Sequence, residues 1–124
     1  MPENSEQLHE AADALSPATI DRHRAIASLM EELEAVDWYQ QRVDAAGDED
    51  LRAILAHNRD EELEHASMVL EWLRRHNDAL DKNLRTYLFT TSPITEVESE
   101  TMSGQAPSTS DGSLGIGSLK EPTL

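Results

Sequence analysis

Ala46-Gly47-Asp48-Glu49-Asp50 decides the fold, because it is the one break in a helical pattern that otherwise runs from Pro17 to about His76. Gly47 is a candidate C-cap for the helix before it, Asp48 suits the N-cap of the helix after it, and Glu49 and Asp50 place negative charge at that helix's positive start. A connection this short predicts two antiparallel helices lying side by side. Working backward, nothing interrupts a helix as far as Ser16-Pro17, an N-cap followed by proline at the first helical position, where the missing N–H is no loss. Working forward, the second helix should end near Arg74 and Arg75, whose charges complement its negative end. Each helix would be about 28 to 30 residues, on the order of 45 Å long. Further on, Leu80, Leu84, Tyr87 and Leu88 share one face of a shorter helix from about Asp78 to Phe89, which Pro93 should stop.

The flanks read differently. Residues 1–15 are acidic and weakly periodic, which predicts a flexible N-terminal segment. Residues 92–111 are rich in Ser, Thr, Gly, Pro and Glu and hold few apolar side chains, which predicts a disordered linker. Apolar residues return in Gly112-Ser113-Leu114-Gly115-Ile116-Gly117-Ser118-Leu119-Lys120. There Leu114, Ile116 and Leu119 are separated by glycine and serine, a spacing suited to a peptide bound in extended form. The expected organisation is a helical domain over 16–91, a linker over 92–111 and a docking peptide over 112–120.

Composition narrows the function. A chain of 124 residues with 38% hydrophobic content, two Trp and one Phe has little material for a core of its own, so burial must be shared. Asp and Glu number 25 against 10 Lys and Arg, a formal charge of -15 that repels nucleic acid and anionic membranes and attracts cations. No cysteine is present, which removes disulfides, zinc thiolates and iron–sulfur clusters and leaves His and carboxylates as the strong metal ligands. No stretch approaches the roughly 20 apolar residues of a membrane span, and Met1 to Ala14 lacks a signal-peptide pattern, so a cytoplasmic protein is expected.

Chemistry enters through two interrupted stripes. Ala25, Leu29, Glu32, Val36, Tyr39 and Val43 follow alternating steps of three and four, the face a helix shows a partner, and Glu32 interrupts it. Leu51, Leu55, Asn58, Glu62, His65, Val69 and Trp72 form the matching stripe of the second helix, interrupted by Glu62 and His65. Three ionisable groups on such faces are costly to desolvate unless a shared cation compensates them. Di-iron bundle proteins place a Glu on each of two helices and Glu-x-x-His on each of two others, all facing inward. This chain supplies half of that set, so a two-fold axis joining two hairpins would complete a four-helix bundle around two metals, about 3.5 to 4 Å apart. Four carboxylates and two imidazoles suit iron, and Tyr39 stands where it could hydrogen-bond a ligand. Against this, Glu-x-x-His pairs are common on helices, and charged faces such as Glu31 and Glu34, or His57, Glu61 and Glu64, are ordinary on exposed helices. Trp38 and Trp72 suit packing, and His9, His23 and His76 suit surface or capping positions.

Four stretches together carry a resemblance: Met-Glu-Glu-Leu-Glu-Ala-Val-Asp-Trp-Tyr at 30 to 39, Asn-Arg-Asp-Glu-Glu-Leu-Glu-His at 58 to 65, Leu-Arg-Thr-Tyr-Leu-Phe-Thr at 84 to 90 and Leu-Gly-Ile-Gly-Ser-Leu at 114 to 119. The sequence resembles the encapsulated ferritins over about residues 16 to 95 and the tail. That resemblance implies an all-α fold, an antiparallel hairpin plus a short C-terminal helix that forms a ferritin-like four-helix bundle on dimerisation. It implies a homodimer assembling to a ring-shaped homodecamer, with a ferroxidase di-iron centre between two chains at Glu32, Glu62 and His65 and Tyr39 close by. Metal-access residues would be Glu31, Glu34 and Trp38. Additional ion positions would fall near His57, Glu61 and Glu64, with calcium a candidate occupant. The tail would be a targeting peptide that docks on an encapsulin shell protein through Leu114, Ile116 and Leu119, placing the oxidase inside a nanocompartment that stores the iron. Two other function classes stand beside it: a redox-silent divalent-metal module, and a structural cargo adaptor whose acidic positions only tune helix pairing.

Overall fold

The structure, a computed structural model, describes residues 7–102, and every element in that range is helical. A single 3-10 turn at Ala12–Ala14 precedes four helices, α1 (Pro17–Ala45), α2 (Glu49–Arg75), α3 (Asp78–Tyr87) and α4 (Ile94–Met102). The chain divides between Asn77 and Asp78 into two compact units. Residues 112–120, expected to dock on a partner, lie outside the described range.

The first unit is the hairpin. α1 has 29 residues and α2 has 27, and they pack along their length. Local chemistry sets both starts: the Thr19 N–H donates to Ser16 Oγ at 3.1 Å with Pro17 at the first helical position, and the Leu51 N–H donates to Asp48 Oδ2 at 2.8 Å. The reversal departs from the expected glycine cap. Ala46 leaves α1 in extended conformation (φ -71, ψ 134), its N–H still donating to Arg42 O at 2.9 Å, and Gly47 has no left-handed φ. Arg52 reaches back from α2 to donate to the Ala46 carbonyl, so a guanidinium satisfies the helix end. At the other end of α2, Arg74 and Arg75 both grip Glu71, whose carboxyl the Arg74 hydrogen bond and then that of Arg75 hold at a pKa of about 2.

Polar rungs tie the helices together. Arg22 Nη1 donates to the His76 carbonyl at 3.5 Å, and Arg59 Nη1 donates to Gln40 Oε1 at 2.8 Å. His76 stacks on Trp72 with centroids 3.9 Å apart and donates from Nδ1 to the Trp72 carbonyl at 2.8 Å, the capping role its position suggested. Apolar burial is sparse. Only Ala66 and Leu73 of the hairpin are buried, and Ile26, Met30, Leu33, Ile54, Leu63 and Met68 stay exposed.

In the second unit α3 stops sooner than expected. Leu88 N–H still donates to the Leu84 carbonyl at 2.8 Å, after which Phe89 turns the chain with a φ of 62, an uncommon value for a side chain of that bulk. The larger correction concerns residues 92–111, expected as linker, which contain α4. Pro93 opens this helix, its carbonyl accepting from the Glu96 and Val97 N–H groups at 2.8 and 3.1 Å. Val97 is fully buried. Average composition over 92–111 does not register the placement of this one apolar side chain.

Replacing Asp48 by Ala removes the acceptor for the Leu51 N–H and should lower stability by about 1 kcal/mol, read as a reduced thermal midpoint, whereas Asp48→Asn should retain most of it.

Candidate metal centre

Glu32 lies at the middle of α1, and Glu62 and His65 lie three residues apart on α2, one turn apart on the same face. The antiparallel register brings them together. His65 Nδ1 stands 3.1 Å from Glu62 Oε1 and 3.7 Å from Glu32 Oε1, and one ligand atom from each residue lies within 4.8 Å of the others. Among the described residues this is the group of three His, Asp or Glu side chains drawn close enough to hold one ion. The side chains of Glu32 and Glu62 keep 26% and 24% of their exposure and that of His65 keeps 46%, so the cluster opens to the outside of the hairpin.

Its three ionisable groups shift one another. The hydrogen bond with Glu62 pushes the Glu32 carboxyl above the usual carboxylate range, with desolvation and the Glu62 charge adding to the shift. Glu62 moves the other way, held low by the bond with Glu32 and then by that with His65. His65 is raised above ordinary imidazole, first by its hydrogen bond to Glu62. Two neighbouring carboxylates oppose one another's ionisation, and a cation placed among them would relieve that repulsion. Carboxylate oxygens and an imidazole nitrogen fit Fe(II), Zn(II) or Mn(II), and three protein donors on one open side leave coordination positions vacant for further ligands.

The other expected residues surround this cluster unevenly. Glu31 and Glu61 lie within electrostatic reach, the first raising the Glu32 pKa and the second that of His65. His57 Nε2 stands 3.6 Å from Glu61 Oε2, but both are exposed and no third acidic or histidine ligand joins them in the described chain. Glu34 and Glu64 are exposed, and Trp38 is about half-exposed beside them in sequence. Tyr39 is half-buried on the Glu32 stripe, with the Arg42 guanidinium 5.2 Å above its ring. Sequence reasoning missed the network one turn from Glu62, in which Asp60 holds Arg59, Arg59 bonds Gln40 and Gln40 bonds Asp44. The signal available was a glutamine on α1 level with an arginine on α2.

Known proteins resemble this chain in sequence and fold. The sequence profile of the EncFtn-like family matches residues 7–91. An encapsulated ferritin-like protein of Rhodospirillum rubrum is 56% identical over 97% of this chain and 92% of its own length. A ferritin-like protein of Thermotoga maritima is 53% identical over 93% of this chain and 99% of its own. The encapsulin nanocompartment cargo protein EncC of Myxococcus xanthus is 35% identical over 72% and 76%. Among solved structures, protein ne0167 of Nitrosomonas europaea aligns with a TM-score of 0.68 and 62% identity, covering 70% of this chain and 96% of that one.

Protons and cations compete for these atoms. His65 keeps its proton to a higher pH than free imidazole, about 6.5, so divalent binding should be weak below that value and strengthen as pH rises through the window just above it. Co(II) titrations of the metal-free protein at about pH 6 and about pH 8 should show the tighter binding at the higher value. Equal affinities would remove His65 from the ligand set.

Proposed function

The chain belongs to the EncFtn-like family, the encapsulated ferritins, and from that premise and the geometry of Glu32, Glu62 and His65 we propose that it oxidises Fe(II) to Fe(III) at a di-iron site shared by two copies. The observation that carries the proposal is the half-complete, outward-opening ligand cluster. One chain offers two carboxylates and one imidazole, and a second copy related by a two-fold axis supplies the same again, the full set of a di-iron bundle. The apolar side chains left uncovered on the hairpin support pairing, since a protomer that buries so little gains stability by sharing its surface.

The chemistry follows from the donor set. Fe(II) is the substrate, and each ferrous ion gives up one electron, with dioxygen as the acceptor for the pair. Carboxylates favour the more highly charged ferric product, and Glu32 bridges the two ions, holding them near one another. Iron competes with protons for the Glu32 and Glu62 carboxyls and the His65 imidazole. Tyr39 orients a carboxylate from its place two turns along α1. Glu31, Glu34 and Trp38 line the approach, and the exposed carboxylates of Glu61 and Glu64, with the His57 imidazole beside Glu61 as a further donor, gather cations toward it.

The wider assembly belongs to the same proposal. Dimers close into a decameric ring, and residues 112–120 dock on an encapsulin shell protein through Leu114, Ile116 and Leu119, so that oxidation takes place in a cytoplasmic nanocompartment that stores the product. The name of the Myxococcus xanthus relative, an encapsulin cargo protein, supports this part. The described range has no helix long and apolar enough to cross a membrane.

Replacing Glu32, Glu62 or His65 by Ala should reduce the aerobic growth of ferric absorbance to the rate of uncatalysed oxidation while helical content is kept. A redox-silent site would bind the ion and give no ferric product even in the unaltered protein. Deleting residues 112–124 should leave oxidation intact and abolish co-purification with a co-expressed shell protein, and a truncated chain still recovered inside shells would overturn the docking role.

A further inference from the structure

The metal cluster spans two helices, so its geometry depends on their register, and the cluster itself is a poor agent for setting it. Without an ion, like charge on Glu32 and Glu62 opposes their close approach, and His65 Nδ1 stands 3.7 Å from Glu32 Oε1, too far for a good hydrogen bond. Something independent of metal must hold Glu32 opposite Glu62 and His65.

We propose that Gln40 and Arg59 are the positioning residues of the metal centre, a cross-hairpin clamp that fixes the helix register before any ion arrives; this rests on the reading of Glu32, Glu62 and His65 as metal ligands. Arg59 Nη1 donates to Gln40 Oε1 at 2.8 Å. Both ends of the bond are themselves held: Gln40 Nε2 donates to Asp44 Oδ1 at 2.9 Å, and the Arg59 guanidinium lies against Asp60 Oδ1 at 3.0 Å from Nε and 2.9 Å from Nη2. The amide orientation is fixed by this network, because a flipped Gln40 would turn its NH2 toward the guanidinium and its oxygen toward a carboxylate. The Arg59 side chain is only 24% exposed, whereas Gln40 is exposed.

Place in the fold gives the clamp its function. Arg59 is one turn before Glu62 on α2, and Gln40 lies two turns beyond Glu32 on α1. Gln40 with Arg59, Glu32 with His65 and Arg22 with His76 are successive rungs of one antiparallel register, since a rise along α1 in each case matches a fall along α2. The Arg22 rung is long at 3.5 Å, which leaves the Gln40 rung as the better-formed tie next to the site. Metal–ligand distances tolerate errors of only about 0.2 Å, so a small axial slip of α1 past α2 is enough to separate the ligands. The clamp is also insensitive to the proton at the site, because an amide accepts and a guanidinium donates at any physiological pH.

The test uses the full-length chain and Co(II) as the probe, read by its d–d absorption, binding affinity and the thermal midpoint of the metal-free protein. Gln40→Ala should weaken Co(II) binding about tenfold, the lower end for residues that orient metal ligands, and should change the d–d spectrum. Gln40→Glu, which restores an acceptor for Arg59, should recover both. Asp48→Ala, which destabilises the hairpin away from the clamp, should leave the spectrum unaltered. An unchanged spectrum and affinity in Gln40→Ala, or the same spectral change in Asp48→Ala, would overturn the inference. A Co(II) signal that survives His65→Ala would overturn the ligand assignment and the clamp with it, whereas a normal, clamp-dependent Co(II) site that fails to oxidise Fe(II) would sink only the ferroxidase proposal.

Discussion

Desolvation of charge at the middle of a helical hairpin governs this structure. Glu32, Glu62 and His65 occupy positions that a two-helix stripe would normally give to leucine or valine, and each loses part of its hydration there. The protein answers in two ways: His65 hydrogen-bonds Glu62, and the cluster stays open on one side. Neither answer closes the site, and the hairpin cannot pack tightly at that level as an apolar pair would. The scarcity of fully buried residues in α1 and α2 is then a consequence of carrying chemistry where a core would otherwise form.

Where the determinants were local, the sequence was enough. Ser16 and Asp48 cap because a short side-chain oxygen three residues from an unpaired N–H needs no tertiary context, and the helix start sites followed. Where another residue could substitute, it was not. Gly47 suggested a left-handed cap, yet Arg52, six residues beyond the Ala46 carbonyl it bonds, satisfies that end, and the chain leaves α1 in an extended form open to any residue. Pro93 is ambiguous by its own chemistry, since the ring that forbids continuing one helix suits the start of the next. The low apolar content of 92–111 argued for a linker, and burial of Val97 is a tertiary fact that composition does not contain.

The cluster of Glu32, Glu62 and His65 was legible for a different reason. Stripe periodicity puts Glu32 on one face and Glu62 with His65 on another, and a connection of a few residues leaves those faces little choice but to meet. What periodicity leaves open is the register, because a stripe repeats every turn and tolerates slippage by one. The Gln40–Arg59 bond depends on register and was therefore invisible from spacing. The access residues were less legible still: Glu31 and Glu61 contribute to the field at the cluster, while Glu34, Glu64 and His57 are distinguished from ordinary exposed charge by nothing within one chain.

Under the proposed function, the open cluster and the exposed apolar side chains have one cause. A site made by symmetry requires each protomer to present half its ligands outward, and the surface around them must be apolar enough to exclude water once covered. The same surface is poorly stabilised when uncovered, so folding, pairing and metal binding draw on shared free energy. Ferrous ions then act on the assembly as well as through it: they neutralise carboxylates that would oppose close approach of two copies, and the copies supply the coordination that one chain lacks. A protomer with a larger private core would be more stable alone and would bury the very positions from which the second half of the site has to be reached.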